Sequence, residues 1–285
     1  MYRVFKVEIG SEGFDEQIGS KEKYWIEHPD LGKCLFKYSR PDTGEHWAEK
    51  VACVIARELF LPHAQYELAR YGQRWGIVSP SFTPEGYSLV HANELLAALF
   101  PDYDPGAKGR RNKHYTVKSA SELLDRIDVP YPHLVDPPSL VTSADWFTGY
   151  LLLDALIGNT DRHAENWGAL RSNIWSPALL LAPTFDHASS LGRELRQGRL
   201  GVDSVQAYAQ RARSALFATP EDQESAQSLR GILALRRRSS TRRSLLARAI
   251  ARHLGTRVQQ IHRLAPSRFL LRALGRFRES DLAAQ

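Results

Sequence analysis

One polar stretch of the chain carries the side chains that phosphoryl transfer requires. Asp161 and Asn166 lie five residues apart within residues 158–168, directly after a long apolar segment. Phosphoryl transfer needs a carboxylate that orients the attacking hydroxyl and accepts its proton, and an amide oxygen nearby that binds magnesium. An Asp followed five residues later by an Asn is also the spacing of kinase catalytic loops. We therefore predict Asp161 as the catalytic base and Asn166 as a ligand of Mg2+.

A second carboxylate, Asp186, follows twenty residues after Asn166. The apolar run at residues 179–182 precedes it and predicts a strand that brings Asp186 into the same cleft. Mg2+ prefers hard oxygen ligands and is commonly held by one or two protein groups together with substrate phosphates. Asn166 and Asp186 would satisfy this requirement together with ATP. ATP and Mg2+ are therefore the cofactors that we expect.

The N-terminal part of the chain supplies candidates for binding the nucleotide phosphates. A kinase uses a lysine on a strand for this purpose and a glutamate on the neighbouring helix to hold that lysine. Lys37 ends an alternating strand pattern and Glu49 lies near the start of a helical pattern, so we predict this pair in the two roles. Gly19, Ser20 and Lys21 lie in a turn-like segment that could cover the phosphates, with Gly19 permitting close backbone approach.

The periodicity of apolar residues divides the chain into two parts. Residues 1–90 predict a small antiparallel sheet with one helix, which we interpret as an N-lobe that binds the nucleotide phosphates. Residues 91–285 predict a mostly helical C-lobe that carries the catalytic and metal-binding residues. The predicted strands are 2–9, 24–28, 33–38, 65–70 and 75–79, and the predicted helices are 45–60, 93–100, 119–127, 143–157, 202–217, 221–235, 244–254 and 257–264.

The composition is that of an ordinary globular chain. Of its 285 residues, 43% are hydrophobic and 25% are charged. No export signal and no apolar run of about 20 residues is evident, and two cysteines provide no disulfide framework. We therefore expect a soluble cytoplasmic protein. The net charge of +6 arises mainly from arginines in the C-terminal third, which could contact nucleic acid or anionic lipid or could form a solvated helix face.

Taken in order, these motifs resemble those of the HipA-like family of bacterial serine/threonine kinases, a group distantly similar to phosphoinositide lipid kinases. The resemblance implies an α+β, two-lobed protein-kinase-like fold with a small β-rich N-lobe and a larger helical C-lobe. It implies ATP and Mg2+ as cofactors, and it implies the roles predicted above for the site residues. The segments that carry it are residues 19–23, Lys37, residues 44–50, residues 159–168 and residues 185–192.

The resemblance also implies partners and regulation. Family members are often toxins paired with antitoxins, and they phosphorylate cytosolic proteins such as aminoacyl-tRNA synthetases or other translation factors. Some phosphorylate a serine in the loop that covers ATP, and Ser20 is the candidate for such autophosphorylation here. The chain resembles a compact form without the extra N-terminal region of longer members, which a separate small-lobe partner protein could supply.

Other interpretations remain open at the level of sequence. The distant similarity to lipid kinases and the basic C-terminal third are compatible with a phosphoinositide-type kinase. A nucleotide-binding or RNA-binding pseudokinase module would bind ATP or RNA without transferring phosphate. Lys37 and Glu49 could be ordinary surface residues, and His163 is interpreted as a structural group that braces its loop.

Overall fold

The computed structural model describes residues 3–8, 14–15, 22–107, 112, 114–129, 142–173, 178–191 and 215–217. These residues belong to one compact unit, Met1–Arg238, while a second unit, Ser239–Gln285, lies outside them. Within the described ranges the elements are, in chain order, β1 (Val4–Lys6), β2 (Phe14–Asp15), β3 (Lys23–His28), β4 (Gly32–Tyr38), α1 (Glu45–Glu58), β5 (Glu67–Tyr71), β6 (Arg74–Pro80), β7 (Tyr87–His91), α2 (Ala92–Leu99), α3 (Val117–Leu124), α4 (Ser143–Ile157), β8 (Gly168–Ser172) and β9 (Leu179–Leu181).

A six-stranded sheet with the order β1-β5-β6-β4-β3-β2 forms the N-terminal part, and α1 packs against β5 and β6. The prediction of an antiparallel sheet is wrong at one edge, because β1 runs parallel to β5 with Val4 opposite Leu68. The other pairings in this sheet are antiparallel. Alternating side chains indicate a strand but carry no information about the direction of its neighbour, so the sequence pattern could not reveal this exception.

Close packing in the middle of this sheet depends on Gly76. This residue lies on β6 opposite Tyr38 of β4. A Cβ atom at this position would collide with the backbone carbonyl of Lys37 and with the ring of Phe36, which is fully buried. Glycine therefore lets β6 lie directly against the part of β4 that carries Lys37.

The second part of the fold combines helices α2 to α4 with a three-stranded antiparallel sheet in the order β7-β8-β9. Thr142 and Asp145 form a reciprocal capping box that begins α4, and Gly158, with φ 66°, ends it in the left-handed conformation. Apolar residues occur on nearly all faces of α4. Phe147 and Tyr150, both fully buried, are among those that place the helix inside the largest hydrophobic cluster. The loop after α4 therefore starts from a rigid, buried support.

Four of the predicted helices agree with the structure, and a fifth does not where it can be compared. The predicted bounds of α4 are confirmed, and the predicted starts of α1, α2 and α3 fall within two residues of the observed ones. The end of the predicted helix 202–217 is wrong, because Phe217 forms a parallel bridge with Thr116. The rest of that helix and the predicted helices 221–235, 244–254 and 257–264 lie outside the described residues. The lobe boundary at residue 90 stays a prediction.

Strands β2, β7 and β8 were not predicted. The sequence of β8, Gly-Ala-Leu-Arg-Ser, contains no β-branched or aromatic residue, so propensity gives no signal for it.

In the part of the chain that the structure describes, no helix has the length and apolar character needed to cross a membrane.

Candidate active site

Lys37, Glu49 and Asp186 form a charge cluster that joins three distant parts of the chain, with Asp186 at its partly exposed edge. The Nζ atom of Lys37, on β4, lies 3.4 Å from Oδ2 of Asp186 and 3.8 Å from Oε1 of Glu49. The side chains of Lys37 and Glu49 are 10% and 1% exposed. Burial lowers the pKa of the Lys37 ammonium, but attraction to Asp186, Tyr66 and Glu49 outweighs this effect, so the pKa lies above its usual value and the group stays charged.

Glu49 connects α1 to the segment that follows β9. Its Oε2 atom accepts a hydrogen bond of 2.8 Å from the backbone N–H of His187. The same carboxylate therefore contacts Lys37 and the backbone next to Asp186. A charge that is almost wholly buried is tolerated only when it is paired and hydrogen-bonded, and these contacts meet that condition.

The backbone around Asp186 adopts an unusual conformation that two contacts hold in place. Asp186 has φ 57°, in the left-handed region that Asp tolerates better than most residues. Its N–H donates to the hydroxyl oxygen of Tyr66 at 3.0 Å. The next residue, His187, is fully buried, with Nε2 2.9 Å from Oγ1 of Thr184. Burial and the charge of Arg162 hold the pKa of His187 well below its usual value, so this ring is neutral.

Asp161 lies in the loop after α4, and its backbone is held from two sides. Its N–H donates to Oδ1 of Asn159 at 3.1 Å, and its carbonyl oxygen accepts from Nδ2 of Asn166 at 2.7 Å. Its side chain is half exposed, and Oδ2 accepts a hydrogen bond of 3.1 Å from the hydroxyl of Ser189. The carboxylate thus has a fixed backbone beneath it and remains accessible to an incoming hydroxyl.

Arg162 is a buried brace between the loop of Asp161 and the segment of Asp186. The guanidinium binds both carboxylate oxygens of Asp154 on α4, at 2.8 and 2.9 Å. Its Nη1 atom donates to the carbonyl oxygens of Asn166 and Phe185, at 2.6 and 3.0 Å. Burial lowers the pKa of Arg162, but the charge and hydrogen bonds of Asp154, together with smaller contributions from other neighbours, raise it above its usual value. One side chain therefore ties the residue that precedes Asp186 to the loop that carries Asn166.

The sequence analysis predicts that His163 is a structural group that supports its own loop. Its Nδ1 atom accepts a hydrogen bond of 3.3 Å from the backbone N–H of Glu165, and its Nε2 atom lies 3.8 Å from Oδ1 of Asp161. These contacts fit a group that supports the local loop conformation rather than one that binds a metal.

The chemistry of Asn166 and Asp186 suits Mg2+ bound together with a nucleotide. Because Nδ2 of Asn166 is the donor to Asp161, the amide oxygen is the atom able to bind a cation. Asp186 has a carboxylate that is 29% exposed. No group of three or more His, Cys, Asp or Glu side chains among the described residues forms a metal site.

Sequence reasoning missed several residues of this site. Arg162, Ser189 and Tyr66 were not predicted. The signal for Arg162 was the charged Asp154 within an apolar helix, since a buried carboxylate requires a partner. Gly19, Ser20 and Lys21 lie outside the described residues.

The fold and the site define an α+β protein with the two-part architecture of protein kinases. No protein-family model matches the chain. Over 149 residues, or 52% of this chain and 41% of the relative, it is 30% identical to "Serine/threonine-protein kinase CtkA" of Helicobacter pylori strain J99. The chain thus spans less than half the length of this curated relative.

Two of the solved structures that match this chain illustrate the shared fold. The Helicobacter pylori proinflammatory kinase CtkA matches with a TM-score of 0.59 at 20% identity, covering 90% of this chain and 95% of that one. A chain of the Shewanella oneidensis MR-1 toxin–antitoxin complex of HipA, HipB and operator DNA matches with a TM-score of 0.50 at 14% identity, covering 87% of this chain and 59% of that one. The predicted kinase-like fold is confirmed, as is the resemblance to the HipA-like kinases.

Proposed function

We propose that this chain is an ATP-dependent serine/threonine protein kinase that transfers the γ-phosphoryl group of ATP to a protein hydroxyl. The observation that carries the proposal is the contact of Lys37 with both Asp186 and Glu49. Three charged groups from β4, α1 and the segment after β9 meet at one point, beside a loop that presents an Asp and an Asn at kinase spacing. Charged groups gathered in this way from separate elements are typical of functional sites.

Each side chain has a distinct task in this proposal. Lys37 binds the phosphates of ATP, and Glu49 holds the lysine in place. Asp161 orients the acceptor hydroxyl and accepts its proton as the oxygen attacks the γ-phosphorus, while the bond from that phosphorus to the bridging oxygen breaks and ADP leaves. Asn166 and Asp186 would hold Mg2+. When bound, this ion neutralises charge on the phosphate oxygens. Gly19, Ser20 and Lys21 are proposed to cover the phosphates.

The names of the relatives support the proposed kinase activity, and they suggest a biological role and a partner for it. The curated relative is named a serine/threonine-protein kinase. One structural relative belongs to a toxin–antitoxin system, in which HipA was solved together with HipB and operator DNA. We propose by analogy that this chain acts in the cytoplasm as the toxin of such a pair and has an antitoxin or small-lobe partner. Its proposed substrate is a translation factor such as an aminoacyl-tRNA synthetase. We also propose that it autophosphorylates at Ser20.

The activity is tested by incubating the purified chain with radiolabelled ATP, Mg2+ and casein as a general acceptor, followed by mass spectrometry of both proteins. We expect the wild type to incorporate phosphate, and Asp161→Asn and Asp186→Ala to lose at least roughly 100-fold in rate. Asp30→Asn is the matched control, because Asp30 lies in the turn between β3 and β4, is half exposed and pairs with Arg3. It should retain wild-type activity.

Two outcomes would contradict the proposal. Binding of ATP without transfer to any protein would indicate a pseudokinase. Transfer to phosphoinositide vesicles, with neither casein nor the chain itself labelled, would indicate a lipid kinase. The toxin role is tested separately by inducing wild type and Asp161→Asn in a bacterial host, where growth arrest should require Asp161.

A further inference from the structure

Ser189 is a side chain beside the predicted base, and the sequence motifs assign no role to it. It lies three residues after Asp186, in the segment that follows the metal ligand. Its hydroxyl donates to Oδ2 of Asp161 at 3.1 Å, across 28 residues of sequence. Ser189 is partly exposed, as is the carboxylate that it contacts. The Ser189 hydroxyl therefore contacts the same carboxylate that is predicted to accept the proton.

The backbone that carries Ser189 is anchored on both sides. The N–H of His187 donates to Glu49 at 2.8 Å, the hydroxyl of Ser190 donates to the carbonyl oxygen of His187 at 2.7 Å, and the N–H of Leu191 donates to the carbonyl oxygen of Ile157 at 2.8 Å. Both His187 and Ser190 are fully buried. Ser189 therefore presents its hydroxyl from a fixed position rather than from a loose loop.

The backbone of Asp161 is fixed by Asn159 and Asn166, but these bonds do not restrain its carboxylate. Rotation about the last bond of an Asp side chain is broad and roughly two-fold. A hydrogen bond to one of the two oxygens removes this freedom. Among the contacts described at the carboxylate, Ser189 reaches Oδ2, and Nε2 of His163 lies 3.8 Å from Oδ1, beyond hydrogen-bond distance.

We propose that Ser189 is a positioning residue, whose hydroxyl holds Oδ2 of Asp161 so that Oδ1 is directed at the hydroxyl of the protein acceptor. The inference rests on the proposed kinase activity and deepens it. Ser189 acts through Asp161 and does not itself receive phosphate. Its anchored backbone supports this role, because an acceptor serine would have to move away from the base once it had been phosphorylated.

The test compares two matched pairs that differ in the hydroxyl: Ser189 with Ser189→Ala, and Ser189→Thr with its isostere Ser189→Val. ADP formation with ATP, Mg2+ and casein provides kcat and the KM for ATP. We expect Ala and Val to lower kcat by roughly tenfold or more, the loss typical of a hydrogen bond to a charged group. The KM for ATP should stay within about twofold, because binding is unaffected. Thr should recover most of kcat.

Three results would overturn the inference while the wild type is active: wild-type kcat in both Ala and Val, equal losses in Thr and Val, or phosphate on Ser189 in the mass spectrum. Failure of the kinase proposal gives a different result, in which wild type and Asp161→Asn form ADP equally slowly. Thermal unfolding of every variant shows whether it is folded. If Ser189→Ala does not fold, the comparison of Thr with Val decides the matter.

Discussion

Replacing Arg162 with Met should strongly destabilise the protein, because it leaves a buried carboxylate without its main partner. Arg162 and Asp154 have side chains that are 1% and 3% exposed. In the variant, Asp154 would retain the bond from Nδ2 of Asn159, at 2.8 Å, but would lose both guanidinium bonds. The carbonyl oxygens of Asn166 and Phe185 would lose a donor as well.

The expected cost is about 3–5 kcal/mol, the usual effect of removing one partner of a buried pair. Since domains are commonly stable by only about 5–15 kcal/mol, this is a large fraction of the total. The free energy of unfolding can be measured by urea titration with tryptophan fluorescence. Trp167 is a suitable reporter, because it is 1% exposed and directly follows Asn166.

Arg57→Met is the matched control for this experiment. The side chain of Arg57 is 62% exposed and pairs with Glu58 at 3.8 Å, so its loss should change the free energy of unfolding by less than about 0.5 kcal/mol. Equal effects of the two Arg→Met changes would refute the reasoning. Asp154→Asn provides a second check, since it removes the charge and keeps the shape. If this variant is as stable as the wild type, the ion pair is not the source of the stability.

Three further predictions concern the sheet and its neighbours. Lys37→Met should reduce phosphoryl transfer at least roughly 100-fold while the exposed Lys33→Met does not, as measured with labelled ATP. Burial raises the pKa of the Cys34 thiol to about 11 and raises that of Cys53 as well. The thiolate fraction of Cys34 at pH 8 is then on the order of 0.001, so neither thiol should react with Ellman's reagent until the chain unfolds. Gly76→Ala should lower the free energy of unfolding by roughly 1–3 kcal/mol in urea titration, because its Cβ meets the backbone of β4.

The contrary outcomes are equally specific. Wild-type transfer by Lys37→Met would remove the lysine from the proposed site. Rapid labelling of the native protein at pH 8 would mean that a thiol is accessible and ionised, since these are the only two cysteines of the chain. Unchanged stability of Gly76→Ala would mean that β6 can move away from β4 without cost.

Local patterns in the sequence were sufficient for much of the fold. The capping box at Thr142 and the glycine at 158 bound an apolar segment, and the predicted helix there coincides with α4. The alternation of apolar and polar residues at 33–38 predicted β4, because successive side chains of a strand point to opposite faces of the sheet. The strand β8 was missed, since its residues have no preference for β structure and it forms by pairing with β7 and β9.

Residue type and spacing alone indicated Asp161, Asn166, Asp186, Lys37 and Glu49, because phosphoryl transfer restricts which side chains can serve and how far apart they lie in a motif. The tertiary structure alone decided that Lys37 meets both Glu49 and Asp186, that Arg162 joins its loop to Phe185, and that Ser189 reaches Asp161. Lys37 and Asp186 are hydrogen-bonded although 149 residues separate them along the chain. Contacts over such separations arise from the packing of whole elements, and no local periodicity of a chain encodes them.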